Sequence, residues 1–431
     1  MTDTQADIQR IWVALDFLAG LAVAMLESGY ATDSMHQTVT ACAAAIGVHP
    51  VTVAGTGRTI TVEYVFGDRS AATRTGVAST LDSVDCDRMK RLKNLARAVA
   101  AEGLDPEIAL VRLAAADRGP QPWPWWIAPF GGALLALCIA VQVGGSGAAA
   151  LIAAFVLVPV WALGHGLTVL TVPRLYGAAV QTVLAAGLSG MAHMSGLVTV
   201  SEAAIAIATV WVLLVPMPQL VSMSIDAISS DTVTATARAA SSLLAVAGIT
   251  LGGALVVTIV QNSALTPVDP RLPVLPIWLA LIFSILGALG NAVFNGGGRD
   301  LLAPAAAAGL LAAAVNQTLI HVVHLSPDWS GPFSAIVLGF VAAASAERLR
   351  VPMSALILVG ITGALLPGLV LYQGLVIELF HSSGVGYCVR AFTICVGLGV
   401  GAALGVLLFF LTRQRPWRKV GHARGPDTPP R

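Results

Sequence analysis

Two triplets of proline, carboxylate and arginine recur in the apolar part of the sequence, about 150 residues apart. The first is Pro216, Asp226 and Arg238, and the second is Pro367, Glu378 and Arg390. The carboxylate follows the proline by ten residues in the first triplet and by eleven in the second, and the arginine follows the carboxylate by twelve in both. Charged side chains inside apolar stretches are costly and usually serve a function. The two triplets are therefore the leading candidates for a functional site.

The chemistry that the triplets could support is the binding of a small charged molecule. A proline break in a helix frees backbone groups that could hold a carboxylate and an ammonium group. Asp226 or Glu378 could bind the ammonium group or carry a proton. Alternatively, a position in loops would make the charged residues of both triplets ordinary solvated charges. Further candidate ligands are the amides Asn291, Asn295, Asn316 and Gln317.

The composition of the chain indicates an integral membrane protein. Of its 431 residues, 56% are apolar and 11% are charged, whereas a soluble domain carries about 25% charged residues. The formal net charge of +1 provides no basic field for nucleic acid. The five cysteines show no paired spacing, so we expect them to be small buried apolar side chains. Because there is no Walker loop, nucleophile elbow or zinc spacing, we expect no cofactor, no metal and no enzymatic activity.

Residues 1–118 carry most of the charged side chains of the sequence, and residues 1–122 are predicted to form a cytoplasmic α+β domain. Periodicity predicts helices at 8–28, 32–46, 87–101 and 106–116, with strands at 51–54 and 59–66 around Gly55-Thr56-Gly57. Asp16 interrupts the first apolar run and no cleavage site follows it, which argues against a signal peptide. The Pro/Trp cluster at 120–126 predicts the end of this domain and an interfacial anchor.

About ten later stretches are apolar enough to cross a bilayer, which takes roughly 20 residues per span. They are residues 126–143, 148–163, 175–194, 203–217, 238–259, 275–294, 301–323, 333–346, 353–371 and 387–411. Arginine is enriched in the loops on the side of the N-terminal domain and in a basic tail, residues 413–431. The positive-inside rule then places both termini in the cytoplasm.

The ten spans divide into two groups of five, residues 123–262 and 273–412. In both groups the triplet lies around the end of the fourth span and the start of the fifth. Because five is odd, the second group should have the opposite orientation, as in the inverted repeats of secondary transporters. Both prolines should then approach each other near the midplane, with the two arginines toward opposite faces. Glycines four residues apart predict close helix packing in the last span of each group. They are Gly248 and Gly252 in the first group, and Gly397, Gly401 and Gly405 in the second.

These residues resemble the threonine/serine exporter family. The resemblance begins at Leu26-Glu27-Ser28-Gly29-Tyr30-Ala31-Thr32 and continues to Ala45-Ile46-Gly47. It resumes at Leu214-Val215-Pro216 with Asp226 and Ala237-Arg238, and it ends at Arg350-Val351-Pro352 and at Leu366-Pro367-Gly368 with Tyr372-Gln373-Gly374-Leu375. One departure is Val215-Pro216-Met217-Pro218, which lacks the glycine of the family's first L-x-P-G loop, and Tyr30 replaces a usual small residue.

The resemblance implies a multi-pass protein of the cell membrane that exports threonine and serine from the cytoplasm, driven by the membrane potential or a proton gradient. It implies partners limited to the small-molecule substrate, the bilayer and protons as coupling ion, and it leaves a homo-oligomer open. Relatives split into two chains are linked to dicarboxylate export, so an exporter of carboxylates remains an alternative. A membrane-bound hydrolase or sensor working through the N-terminal domain is the third hypothesis.

Overall fold

The computed structural model describes residues 5–81, 83–229, 231–261, 267–380 and 383–412. The predicted basic tail, residues 413–431, and the predicted end of the first repeat at residue 262 lie outside these ranges. The chain is mostly helical, with one small sheet near the N-terminus.

The N-terminal domain surrounds one central apolar helix. Its elements are α1 (Gln5–Ser28), α2 (Thr32–Ala45), β1 (Val51–Thr56), β2 (Thr59–Val65), β3 (Ala71–Val77), α3 (Cys86–Glu102) and α4 (Pro106–Asp117). Helix α1 contacts the sheet and the other three helices, and its residues Leu15, Phe17 and Leu18 are fully buried in their common core. The predicted order of helices, sheet and helices is therefore present.

The sheet differs from its prediction in two details. It has three antiparallel strands in the order β1-β2-β3, so the sequence prediction of two strands missed β3. Strand β3 contains Ala72 as its one buried residue and otherwise carries polar or partly exposed positions, which gives a weak apolar pattern. The first turn lies at Gly57-Arg58, because Gly57 adopts a positive φ of 63° while Gly55 pairs with Ile60 inside the strands.

Twelve further helices follow among the described residues, and they fall into two sets of six. The first set is α5 (Ile127–Gln142), α6 (Gly147–Val169), α7 (Arg174–Met194), α8 (Val200–Leu214), α9 (Met217–Ile228) and α10 (Thr232–Gln261). The second set is α11 (Ile277–Phe294), α12 (Arg299–His321), α13 (Pro327–Ser345), α14 (Met353–Ala364), α15 (Gly368–Phe380) and α16 (Val385–Thr412). Both sets run as three helices, a broken pair of short helices, and one long helix.

By length and composition, eight helical segments of the described chain could cross a membrane, or nine with the bent pair α14 and α15 counted as one. One of the eight is α1, which is apolar on most sides because it forms the core of the N-terminal domain. Helices α8 and α9 pass this test together, α5 is a shorter apolar helix, and α13 is not among the eight. The chain is thus polytopic, while the count of ten stays a prediction.

The helix contacts of the first set recur in the second. Helix α5 packs on α6, α6 on α7 and α7 on α10, and likewise α11 packs on α12, α12 on α13 and α13 on α16. Contacts between the sets are reciprocal, since α9 packs on α16 and α15 packs on α10. This recurrence supports a structural repeat, and its inverted orientation remains a prediction because it needs a membrane reference.

The prolines of both triplets lie at helix breaks, but the chain beyond them is helical. Helix α8 ends at Leu214 and α9 begins at Met217, while α14 and α15 meet at an angle of 45° on either side of residues 365–367. Asp226 therefore belongs to α9 and Glu378 to α15, and neither lies in a solvated loop. The sequence prediction missed these short helices, because its fourth stretch ends at residue 217 and its ninth runs through Pro367 only as far as residue 371.

Candidate functional site

Asp226 and Arg238 form an ion pair in the interior of the protein. The Arg238 Nε lies 3.0 Å from the Asp226 Oδ2, and the two side chains are 1% and 0% exposed. Two ions buried this deeply are tolerated only when further hydrogen bonds satisfy their remaining donors and acceptors. The partners of those hydrogen bonds show which parts of the protein the ion pair connects.

The remaining partners come from the N-terminal domain. The backbone N–H of Thr32 donates to the Asp226 Oδ1 at 2.8 Å. Arg238 donates through Nη2 to the carbonyl oxygen of Tyr30 at 2.9 Å and through Nη1 to that of Leu81 at 3.2 Å. We call these five residues the docking cluster. It joins α9 and α10 to the loop between α1 and α2.

Asp226 also completes the start of α2. The residue that precedes this helix, Ala31, has no side chain that could accept a hydrogen bond from the first N–H groups. A carboxylate there satisfies one of those donors and interacts favourably with the helix dipole. The residues that carry the family resemblance, 26–32, thus form the loop that the buried ion pair holds.

The N-terminal domain also binds the second set of helices. The Cys86 N–H donates to the carbonyl oxygen of Asn295 at 2.9 Å, and Lys90 forms an ion pair with Asp300. The Lys93 Nζ donates to the carbonyl oxygen of Val351 at 3.2 Å, and burial lowers the pKa of Lys93 to about 8. A domain attached to both sets bridges them at one end of the bundle.

A central cavity of about 270 Å³ lies against the break between α8 and α9. Its walls come from both sets of helices and from one residue of the N-terminal domain, Val84. The polar side chains and break residues that line it are Arg174, Gln181, Pro216, Gln219, Asn291, Asn295 and Thr362. Arg174 is the one charged side chain among its described lining residues. A cavity of this composition fits a small polar molecule with a carboxylate.

Hydrogen bonds fix the amides of the central cavity. Asn291 is 1% exposed, and its Nδ2 donates to the carbonyl oxygen of Leu358 at 3.4 Å. Its Oδ1 accepts a hydrogen bond from the Asn295 Nδ2 at 2.7 Å. The Gln181 Nε2 donates to the carbonyl oxygen of Val160 at 3.0 Å. The polar groups are thus preorganised on helices, which favours a defined binding geometry.

A second cavity, the apolar cavity, lies between α8, α10, α15 and α16 and has a volume of about 330 Å³. Pro367 and Glu378 line it, together with mainly aliphatic side chains. The Glu378 carboxylate accepts a hydrogen bond from the backbone N–H of Gly384. Val212 and Val215 line both cavities, so the α8–α9 break separates them.

The structure divides the predicted site residues among five places. Pro216 and Asn291 line the central cavity, Pro367 and Glu378 line the apolar cavity, and Asp226 and Arg238 form the docking cluster. Arg390 pairs with Asp328, with 2.7 Å between its Nε and the Asp328 Oδ1, and not with Glu378. Asn316 lies on α12 with its Oδ1 buried and unpartnered. Pro216 and Pro367 line two cavities that share Val212 and Val215 in their walls, and Leu366, next to Pro367, reaches the central cavity. The approach of the two prolines near the midplane stays a prediction.

Sequence reasoning missed three residues of the central cavity. Arg174 counted only as a loop charge, although it begins α7 and lies at the cavity wall. Gln219 and Thr362 stand in apolar stretches without any repeated pattern. The one sequence feature that could have pointed to Gln219 and Thr362 is that each is a polar side chain within four residues of a helix break.

The N-terminal domain contains a groove beside α1 and β3, in which the charges pair with each other. The Arg74 Nε lies 2.5 Å from Asp16, and the Arg88 Nη2 lies 3.0 Å from Glu27 and 2.5 Å from Asp117. Its described lining includes no serine, cysteine or histidine. Within the described ranges, no group of three or more histidine, cysteine or acidic residues could hold a metal ion. Thr75 carries the one hydroxyl among the described lining residues of the groove, and this hydroxyl lies 3.5 Å from that of Thr61.

Comparison with known proteins shows similarity to exporters. The sequence model of the ThrE family, described as "Putative threonine/serine exporter", matches residues 16–260. A "Probable threonine/serine exporter" of Mycobacterium tuberculosis is 26% identical over 91% of this chain and 76% of its own length. A "Threonine/serine exporter" of Corynebacterium glutamicum is 25% identical over 95% of this chain and 85% of its own length. No solved structure gives a significant match. Because the family match covers more than half of the sequence, the chain belongs to the threonine/serine exporter family.

Proposed function

We propose that this protein exports threonine and serine from the cytoplasm, and that the central cavity binds the amino acid. The observation that carries the proposal is that Arg174 and several polar side chains line this cavity at the break between α8 and α9. Arg174 attracts a carboxylate, and the C-terminal end of α8 presents carbonyl groups to an ammonium group. An amino acid carries both groups on one carbon atom, which suits a site built at such a break.

The charge of the cavity favours an amino acid over a dicarboxylate. Arg174 supplies one cation, which matches one carboxylate. A second carboxylate would lie among uncharged side chains such as Asn291 and Thr362, where burial of an unpaired charge is costly. Carboxylate export therefore remains the weaker of the two transport hypotheses.

Transport assays with purified protein in proteoliposomes test this proposal. We expect counterflow of labelled threonine and serine and no counterflow of succinate. The variant Arg174→Gln should lower threonine counterflow by about tenfold, because one charge-assisted hydrogen bond to the carboxylate is lost. The exposed Arg348 is the matched control, and Arg348→Gln should leave counterflow unchanged. Counterflow of succinate alone would overturn the amino-acid assignment.

The transport cycle that we propose uses the N-terminal domain as the cytoplasmic closure. Val84 lines the central cavity, and the domain is attached both to the docking cluster and to Asn295 and Val351 of the second set. Relative movement of the two sets must then break one of these attachments. Glu378 is the candidate proton carrier, since it is a carboxylate in an otherwise apolar cavity. Export driven by protons should stop when an uncoupler removes the pH gradient across the vesicle membrane.

This cycle requires the N-terminal domain to lie in the cytoplasm, which fixes the side of the membrane that each loop should face. Reporter fusions at residues 271 and 326, in the loops before α11 and α13, should report the outside. Fusions at residues 297 and 350, in the loops before α12 and α14, should report the cytoplasm and serve as the internal control. If fusions at 297 and 326 report the same side, α12 does not cross the membrane and the inverted repeat is wrong.

A further inference from the structure

We propose that Thr362 recognises the side-chain hydroxyl of the substrate and so restricts the site to β-hydroxy amino acids. This inference rests on the proposed function, because it assigns a role within the same central cavity. Thr362 lies on α14 and lines that cavity, and it is 8% exposed. Its Oγ1 is buried and has no hydrogen-bond partner in the protein.

Thr362 lacks the hydrogen bond that several other helical threonines of this protein make. A threonine inside a helix commonly donates to the carbonyl oxygen four residues earlier. Thr182, Thr250 and Thr318 do so, at 2.7 Å, 2.9 Å and 2.8 Å, to the carbonyl oxygens of Ala178, Val246 and Ala314. Buried polar groups almost always have a partner, so an exception in a cavity indicates a group that a ligand completes.

The side-chain amide of Asn291 explains why Thr362 lacks this hydrogen bond. The carbonyl oxygen four residues before Thr362 is that of Leu358, and it already accepts the hydrogen bond from the Asn291 Nδ2. Asn291 is in turn held by Asn295. The pair of asparagines thus occupies the usual partner of Thr362 and leaves its hydroxyl without one.

Other buried hydroxyls without a partner lie elsewhere in the described chain. They are on Thr32, Thr209, Ser229, Thr234, Ser242 and Ser354, none of which lines the central cavity. Gln219 does line it, but this side chain has an interaction of its own. Thr362 is therefore the one residue of the described cavity lining whose hydroxyl is buried and without a hydrogen-bond partner.

A hydroxyl fits this position better than any other small side-chain group. The Thr362 Oγ1 both donates and accepts, so a substrate hydroxyl can pair with it in either direction. An aliphatic side chain of the same size, such as that of valine, would leave Thr362 unpaired when the cavity closes. Sites that hydrogen-bond a substrate hydroxyl reject the analogue without it far more strongly than an apolar pocket does. We expect threonine to be preferred over valine, and serine over alanine, by roughly tenfold to a hundredfold.

The test compares these two preferences in variants of the full-length protein in proteoliposomes. Counterflow of labelled threonine is measured against unlabelled threonine, valine, serine and alanine as competitors. In Thr362→Val the threonine-to-valine and serine-to-alanine preferences should fall to within about threefold of one, since the hydroxyl is gone. In Thr362→Ser both preferences should persist. Each preference is a ratio within one variant, so differences in expression or folding yield cancel.

Three outcomes are distinguishable. Preferences that fall in Thr362→Val and persist in Thr362→Ser support the role of Thr362. Preferences that stay unchanged in Thr362→Val, while threonine is still transported, overturn that role and leave the proposed function standing. Failure of the wild-type protein to transport threonine or serine contradicts the proposed function itself. If Thr362→Val does not fold, Thr362→Ala is compared in the same way, because it also removes the hydroxyl.

Discussion

Replacement of Asp226 by alanine is expected to lower the free energy of unfolding by about 3–5 kcal/mol, because it leaves a buried arginine without its counter-ion. Arg238 is 1% exposed and cannot reach water when its partner is lost. The Thr32 N–H loses its acceptor at the same time, so the start of α2 is also weakened. We therefore expect the N-terminal domain to separate from α9 and α10 before the helices themselves unfold.

Thermal and denaturant unfolding of the purified variant in detergent measures the loss of stability, and limited proteolysis between residues 118 and 126 measures the release of the domain. The matched control is Arg390→Gln, since Arg390 occupies the same position in the second triplet. Its pair with Asp328 is exposed, at 42% and 32%, and such pairs contribute about 0–1 kcal/mol. The double variant Asp226→Leu with Arg238→Met should recover part of the loss, because no unpaired charge remains.

This experiment also separates two roles for Asp226. A docking role predicts lower stability and release of the N-terminal domain, with threonine affinity changed only through the fraction of protein that is folded. A substrate-binding role predicts normal stability and a higher KM for threonine. An Asp226→Ala protein as stable as Arg390→Gln would contradict docking as the main role of the ion pair.

The sequence predicts the two triplets and their helix breaks, and it cannot predict their partners. Proline and hydrophobic periodicity act over a few residues, so the ends of α8 and α14 and the helical order of the N-terminal domain follow from local patterns. The contact between Asp226 and Thr32 joins residues 194 positions apart. Such a contact depends on how the domain docks, which no local pattern encodes.

The two triplets also show why similar sequence positions acquire different chemistry. The N-terminal domain lies at one end of the bundle and contacts the first triplet through Asp226 and Arg238. The described residues contain no second copy of that domain that could cover the second triplet. Arg390 consequently pairs with the exposed Asp328, and Glu378 turns to the backbone of Gly384 beside the apolar cavity. A repeat in sequence therefore predicts a repeat in helix packing better than a repeat in function.

The second large loss of stability is expected where α16 packs closely on another helix, at the glycines Gly397, Gly401 and Gly405. A Cβ on Gly401 would overlap the carbonyl oxygen of Pro332, and a Cβ on Gly405 would overlap that of Ile336. The obstacles are backbone atoms of α13, which cannot rotate away as a side chain could. The predicted role of these glycines in close helix packing is therefore visible in their contacts, and Gly248 meets the carbonyl oxygen of Leu175 in α7 in the same way.

Gly405→Ala should consequently lower the free energy of unfolding by about 3 kcal/mol, the upper end of the usual cost of overpacking. Gly386→Ala is the control within the same helix, because a Cβ there has nothing within 4 Å. This control should be neutral or slightly stabilising, since alanine favours a helix over glycine by about 0.5–1 kcal/mol. The measurement is thermal unfolding in detergent, with Gly248→Ala as the corresponding variant of the first set. Equal stability of Gly405→Ala and Gly386→Ala would mean that α13 and α16 are farther apart than these contacts require. A loss in both Gly405→Ala and Gly248→Ala would support the same close helix pair in each half of the membrane region.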